Sequence, residues 1–221
     1  TDDVMVSDEY GTGKAFILVS DGDNRIVIEG GSNDQLTAVD VERISEKLLR
    51  VSGVLLQNEI PLEAIQKATQ LCKGKIPVFL NPAPAMAYPQ KMLEGIDYFI
   101  PNESECEFYT GIRPFDQRSC EKAMTALREM GIRTPIITLG DKGVAYFDGH
   151  RCVMARGFEI DAVDSTAAGD TFAGVFATMI SEGMEMATAI DVAQAAAAVT
   201  CTRYGAQNAI PYKDEVERFL A

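Results

Sequence analysis

No stretch of the sequence approaches the roughly 20 consecutive apolar residues that span a bilayer, and its start, Thr1-Asp2-Asp3, lacks the basic and apolar regions of an export signal. These absences predict a soluble protein in the cytoplasm. Positive charge is scarce: 20 Lys and Arg face 33 Asp and Glu, a formal net charge of -13. Such a field repels nucleic acid and anionic membrane, so neither is expected as a partner. A phosphorylated ligand can still bind where backbone amides and a divalent ion supply positive potential locally. The cysteines Cys72, Cys106, Cys120, Cys152 and Cys201 are odd in number, widely spaced and never in a C-x-x-C pattern, which suggests a reducing compartment and neither a disulfide framework nor zinc. His150 is the only histidine; it adjoins Gly149 in an expected turn and has no ligand pattern around it.

At 221 residues the chain can bury a full core, as one domain with at most a small appendage. Lys14 to Val19 and Arg25 to Glu29 suit strands, with Asp21-Gly22-Asp23-Asn24 as a hairpin turn between them. From Leu36 the period changes, and Val41, Ile44, Leu48 and Val51 fall on one helical face. Val54 to Leu56, Pro77 to Leu80, Asp97 to Ile100 and Pro135 to Leu139 then read as strands. Leu62 to Leu71 and Glu121 to Met130 between them read as helices. This alternation implies an open, mostly parallel α/β sheet with helices on both faces, whose ligands bind beyond the carboxyl ends of the strands. Val144 to Phe147, Arg151 to Met154 and Phe158 to Ile160 predict a meander of strands. Two helices follow. The first carries the stripe Phe172, Val175, Phe176, Met179 and Ile180 and ends at Gly183, and the second holds the small run Ala195 to Ala198, which permits close approach of a neighbour.

Gly11-Thr12-Gly13-Lys14 invites a phosphate-loop reading, but Asp8 and Ala15 occupy positions where that motif needs Gly and Ser or Thr. More informative is Asp164-Ser165-Thr166-Ala167-Ala168-Gly169-Asp170-Thr171-Phe172, which joins a strand to an amphipathic helix through small residues. The helix start presents unpaired N–H groups with no bulk to block an anion. Asp170 in the first turn either caps backbone amides or faces a substrate hydroxyl; spacing alone leaves both open.

This stretch resembles the carboxy-terminal signature of the PfkB-type carbohydrate kinases. Other blocks agree in order and spacing: Leu56-Gln57-Asn58-Glu59-Ile60-Pro61, Asn81-Pro82-Ala83-Pro84-Ala85, Pro101-Asn102-Glu103-Ser104-Glu105, Ile137-Thr138-Leu139-Gly140 with Gly143, and Gly205-Ala206-Gln207. The resemblance spans essentially the whole chain. It implies a ribokinase-like α/β fold, with residues 1–32 as part of a small β lid and residues 33–221 as the nucleotide-binding and catalytic domain. It also implies roughly 80 further residues ahead of Thr1 that carry the first strands and a sugar-gripping segment.

Several roles are implied by the same resemblance. Asp170 is the base, and Ala167, Ala168 and Gly169 give amides to the anion hole. Asn102 and Glu105 organise Mg²⁺ and phosphate, Glu105 through water, although Asn-x-x-Glu is equally a helix capping box. Thr138, Gly140 and Gly143 contact nucleotide phosphates, a role compatible with a hairpin at Asp141-Lys142-Gly143. Gln194 falls near the adenine pocket, or else is a polar residue on an exposed helix face. Glu59 binds the sugar, with Ala15, Ile17 and Ile28 as the apolar lid above it, or simply as strand residues. Asp164 and the carbonyls of Thr166, Arg203 and Gly205 hold a monovalent cation, K⁺, with Asn208 as a substitute last ligand.

The expected activity is ATP-dependent phosphorylation of a sugar primary hydroxyl, D-ribose to ribose 5-phosphate, by a homodimer paired through its lids. The alternatives are a kinase for another sugar or nucleoside, and an inactive nucleotide-binding or regulatory remnant. A dinucleotide-binding dehydrogenase is disfavoured, because no G-x-G-x-x-G opens a βα unit.

Overall fold

The computed structural model describes residues 3–20 and 23–221. An antiparallel pair, β1 (Lys14–Ser20) and β2 (Asp23–Glu29), opens the chain in the register Ala15 opposite Ile28 and Phe16 opposite Val27. Asp21 and Gly22, where the turn was expected, lie outside the described residues. Phe16 and Val27 share one face of this ribbon, Ala15, Ile17 and Ile28 the other, and all of them are exposed.

The predicted long helix after Leu36 is two short ones, α1 (Ala38–Arg43) and α2 (Ser45–Leu48). Thr37 and Asp40 form a reciprocal capping box on α1, whereas Ile44 leaves helical geometry at ψ 9° and splits the pair. The apolar stripe survives the break, since Val41 and Leu48 still pack against α3 (Leu62–Cys72) through Ala64 and Ala68.

The remaining elements run β3 (Val54–Gln57), α3, β4 (Val78–Asn81), α4 (Gln90–Leu93), β5 (Tyr98–Phe99), α5 (Glu103–Thr110), α6 (Gln117–Glu129), β6 (Thr134–Thr138), β7 (Val144–Phe147), β8 (Cys152–Ala155), α7 (Ala168–Ser181), α8 (Met186–Cys201) and α9 (Lys213–Leu220). Strands β3 to β8 form one sheet in chain order, parallel as far as β6 and antiparallel beyond it. Side chains alternate across it. Leu80, Ile137 and Ala145 face Ile65, Cys106 and Leu127 on one side; Phe79, Ile136 and Val144 face Phe172, Phe176 and Ile190 on the other. Both faces are therefore covered, as near-continuous apolar strands require. Each fully buried Phe or Ile contributes about 1.5 to 3 kcal/mol.

The third strand expected at Phe158 to Ile160 does not form. The ladder ends where Ala155 pairs with Val144, and the chain then leaves the sheet. Phe158 packs instead against Phe219 of α9, ring centroids 5.2 Å apart, and against the Ala195–Val216 cluster between α8 and α9. The buried hydroxyls of Thr171 and Thr200 meet at 3.1 Å, so α7 and α8 approach closely. No helix among the described residues is long and apolar enough to cross a membrane.

Candidate active site

Where β5 and β6 end and α7 begins, a cleft of about 770 Å³ opens. The start of α7 has no side-chain cap; its N-cap is Ala167, held in the left-handed region at φ 62°. A non-glycine residue there costs on the order of 1 to 3 kcal/mol, strain that is commonest at functional sites. The consequence is a concave set of donors. Ala168 N–H is taken by the Ser165 carbonyl at 3.2 Å, while the amides of Ala167, Gly169 and Asp170 have no acceptor among the described residues. A left-handed residue followed by free helix amides is an anion-binding nest. A Cβ built on Gly169 meets nothing within 4 Å, so the space above these amides is open. Asp170 is exposed in the same turn and does not cap the helix, so the capping role left open by its spacing is not realised.

Thr138, at the end of β6, and Gly140 and Gly143, in the tight turn to β7, form the facing wall. The predicted hairpin and the cleft wall are thus the same residues. Gly143 sits at φ 102°, ψ -132°, and a Cβ there would overlap the Ala155 carbonyl and lie 2.5 Å from Gly157 N. The segment after β8 completes this wall through Arg156 to Ile160, a contribution the sequence does not announce, since Phe158 to Ile160 read as a strand.

Asn102 borders the cleft and caps α5. Its side chain accepts from Glu105 N–H at 2.8 Å and donates to Glu105 Oε1 at 3.0 Å, and its own N–H donates to Oε2 at 2.9 Å. The capping box is real, and it occupies both oxygens of a buried carboxylate. Desolvation pushes the Glu105 carboxyl above its usual range, against the Asn102 backbone bond that lowers it.

Gln194, on α8, corrects the exposed-face reading: it is buried and borders the cleft. Neither its Oε1 nor its Nε2 has a partner among the described residues. A buried, unpaired amide costs about 1 to 3 kcal/mol and calls for an explanation.

Beside the nest, Asp164 ties two loops together. Its Oδ1 accepts from Thr166 N–H at 2.9 Å and from Thr166 Oγ1 at 2.7 Å, and its Oδ2 from Gly205 N–H at 3.1 Å. These bonds, the Thr166 hydroxyl first, hold its carboxyl below the usual range. Arg203 forks onto Glu215 of α9, and Asn208 donates to the Tyr204 carbonyl at 3.4 Å while packing over Gly205. Thr166, Arg203, Gly205 and Asn208 are therefore gathered around the loops that Asp164 joins.

The residues expected on the sugar side are not part of the cleft. Half-buried Glu59 follows β3, and Ala15, Ile17 and Ile28 lie on the β1–β2 ribbon. A separate hollow of about 520 Å³ between α6 and the β7–β8 turn holds His150 and Cys152 but none of the expected site residues. His150 is exposed, and burial pushes the Cys152 thiol up to about 11, which leaves it unreactive near neutral pH.

Residues 1–213 match the profile of the pfkB family carbohydrate kinases. The chain is 39% identical over 211 residues to the ribokinase of Haemophilus influenzae, a match covering 95% of this chain and 69% of the relative. The solved ribokinase of Thermotoga maritima superposes with a TM-score of 0.83 at 38% identity, covering 96% of this chain and 70% of that one. The ribokinase of Arabidopsis thaliana, solved with ribose and ATP, gives a TM-score of 0.84 at 30% identity over 96% of this chain and 70% of that one.

Proposed function

The chain belongs to the pfkB family of carbohydrate kinases, and from that premise we propose that it works in the cytoplasm, transferring the γ-phosphate of ATP to the primary hydroxyl of D-ribose to give ribose 5-phosphate. The observation that carries this reading is the start of α7, where Ala168 and Gly169 line the cleft, the amides of Ala167, Gly169 and Asp170 are free among the described residues, and the exposed Asp170 stands in the same turn. Phosphoryl transfer needs little covalent help from a protein. It needs positive potential where negative charge accumulates and an acceptor oxygen held in line. The amides of Ala167, Gly169 and Asp170 supply the first, and the Asp170 carboxylate removes the hydroxyl proton as the oxygen attacks. Thr138, Gly140 and Gly143 border the phosphate chain, and Gln194 meets the adenine.

Among the described residues no group of three or more His, Cys, Asp or Glu side chains could hold a metal alone. That fits Mg²⁺, which binds few protein carboxylates and takes its other ligands from phosphates and water. Asn102, which borders the cleft, would meet that water shell, with Glu105 behind it holding its amide in place through the capping box, and the ion would neutralise charge on the transferred phosphoryl group. The oxygen-rich loops joined by Asp164 fit K⁺ at the carbonyls of Thr166, Arg203 and Gly205, with Asn208 beside them. On the ribbon, residues 1–32 act as a lid over the α/β unit of residues 33–221. Its Ala15, Ile17 and Ile28 face closes over the sugar held by Glu59, and its Phe16 and Val27 face pairs with a second copy, since a two-stranded ribbon is marginal alone.

Turnover across a panel of pentoses, hexoses and nucleosides, in K⁺ and in Na⁺, tests the acceptor and the cation. D-ribose in K⁺ is expected to give the highest kcat/KM; a larger value for a hexose or nucleoside would reassign the substrate.

Gln194 offers an independent check. Gln194→Leu removes two unpaired buried atoms, and should raise Tm by about 2 to 8 °C while raising the KM for ATP about tenfold. An unchanged KM for ATP would remove Gln194 from the nucleotide site.

A further inference from the structure

We propose that Asn58, Tyr88 and Tyr109 form a polar brace that sets the position of Glu59, acting as positioning residues for sugar binding. The inference rests on the kinase reading above and on its assignment of Glu59 to the sugar.

Asn58 follows β3 and is almost fully buried, at 5% exposure, so its amide must find partners. It finds them all on the chain that follows β4. Its Oδ1 accepts from the Tyr88 hydroxyl at 2.6 Å, its Nδ2 donates to the Pro84 carbonyl at 2.7 Å, and its backbone N–H donates to Ala83 O at 3.0 Å. Tyr88 is itself held: its ring stacks on Tyr109 of α5, with centroids 5.7 Å apart and planes 7° from parallel. The Tyr109 hydroxyl donates to Met86 O at 2.9 Å and accepts from Met86 N–H at 3.2 Å. Burial drives the Tyr88 hydroxyl far above its usual range, so it remains a donor at every working pH.

These bonds fasten together the chain after β3, the chain after β4, and the helix whose cap is Asn102. The next residue is Glu59, whose N–H donates to Gln57 Oε1 at 2.6 Å. The backbone leading into Glu59 is therefore fixed, and none of these bonds uses its carboxylate. Apolar packing alone would hold such a loop without setting its direction; a fully satisfied buried network sets both.

Tyr88→Phe keeps the ring stack and removes only the hydroxyl. The KM for the sugar is expected to rise about tenfold, the value of one buried hydrogen bond, with the KM for ATP unchanged. In a Glu59→Gln background, where the sugar KM is already raised, Tyr88→Phe should add little. The double variant Asn58→Leu with Tyr88→Phe removes both partners of that bond and frees only the carbonyl of exposed Pro84, which water can reach, so Tm should recover while the sugar KM stays high. A lowered Tm with an unchanged sugar KM would show a structural staple only and overturn the brace. So would a full Tyr88→Phe effect in the Glu59→Gln background, which would place its action elsewhere. If Glu59→Gln itself leaves the sugar KM unchanged, the assignment of Glu59 fails and the brace falls with it, an outcome distinct from either of those.

Discussion

Replacing Asp170 by Asn is expected to lower kcat by roughly 10²- to 10⁴-fold with little change in the KM for ATP. Asn is nearly isosteric and leaves the backbone of α7, and hence its free amides, intact. What it removes is the capacity to accept the proton that the sugar hydroxyl loses. Because Asp170 is exposed and does not cap the helix, the variant should keep the Tm of the parent. A large loss of kcat with normal stability and normal nucleotide binding marks a chemical role. A near-normal kcat would remove Asp170 from the base role, and a fall in Tm matching the fall in activity would return it to a structural one.

Gly143→Ala is expected to be the most destabilising single substitution in the cleft. At φ 102° and ψ -132° the backbone is in a region that L side chains rarely adopt, and the added methyl would overlap the Ala155 carbonyl. Neither Ala155 nor Gly157 can yield cheaply, since the clashing atoms are main-chain atoms of β8 and its exit. Strain and overlap together should cost about 3 to 5 kcal/mol. The effect should appear as a lower urea midpoint with an unchanged m-value, and nucleotide affinity should fall too, because the same atoms wall the cleft. Gly169→Ala is the natural control. Its Cβ meets open space, so stability should hold while the methyl intrudes on the nest. Equal stability of Gly143→Ala and the parent would contradict the account of this wall.

The sheet was legible in the sequence because its strands are short apolar runs, and runs such as Phe79-Leu80 and Ile136-Ile137 can only be buried on both faces at once. The failures have specific causes. Phe158 looked like a strand residue because periodicity reports that a side chain is buried, not against what; α9 claims it here. Likewise, the stripe through Val41, Ile44, Leu48 and Val51 predicted the packing of Val41 and Leu48 but could not reveal the break at Ile44, nor that Val51, beyond α2, is exposed. On the site, the start of α7 was legible because small residues before an amphipathic helix have a local signature. Gln194 was not, since a polar residue in an alanine-rich helix reads the same whether it faces water or a cleft. Nor was the bond between Asn58 and Tyr88, made across 30 residues by loops whose approach only the sheet order fixes.

The central claim is that the cleft at α7 moves phosphate from ATP to a sugar hydroxyl with Asp170 as base. Its most direct test is ADP release by the purified protein with Mg²⁺ and K⁺, measured with and without D-ribose, for the parent and for Asp170→Asn. The account predicts ADP release that requires ribose, matches ribose 5-phosphate formed one for one, and nearly disappears in the variant. ADP release indifferent to ribose, or undiminished in Asp170→Asn, would contradict it.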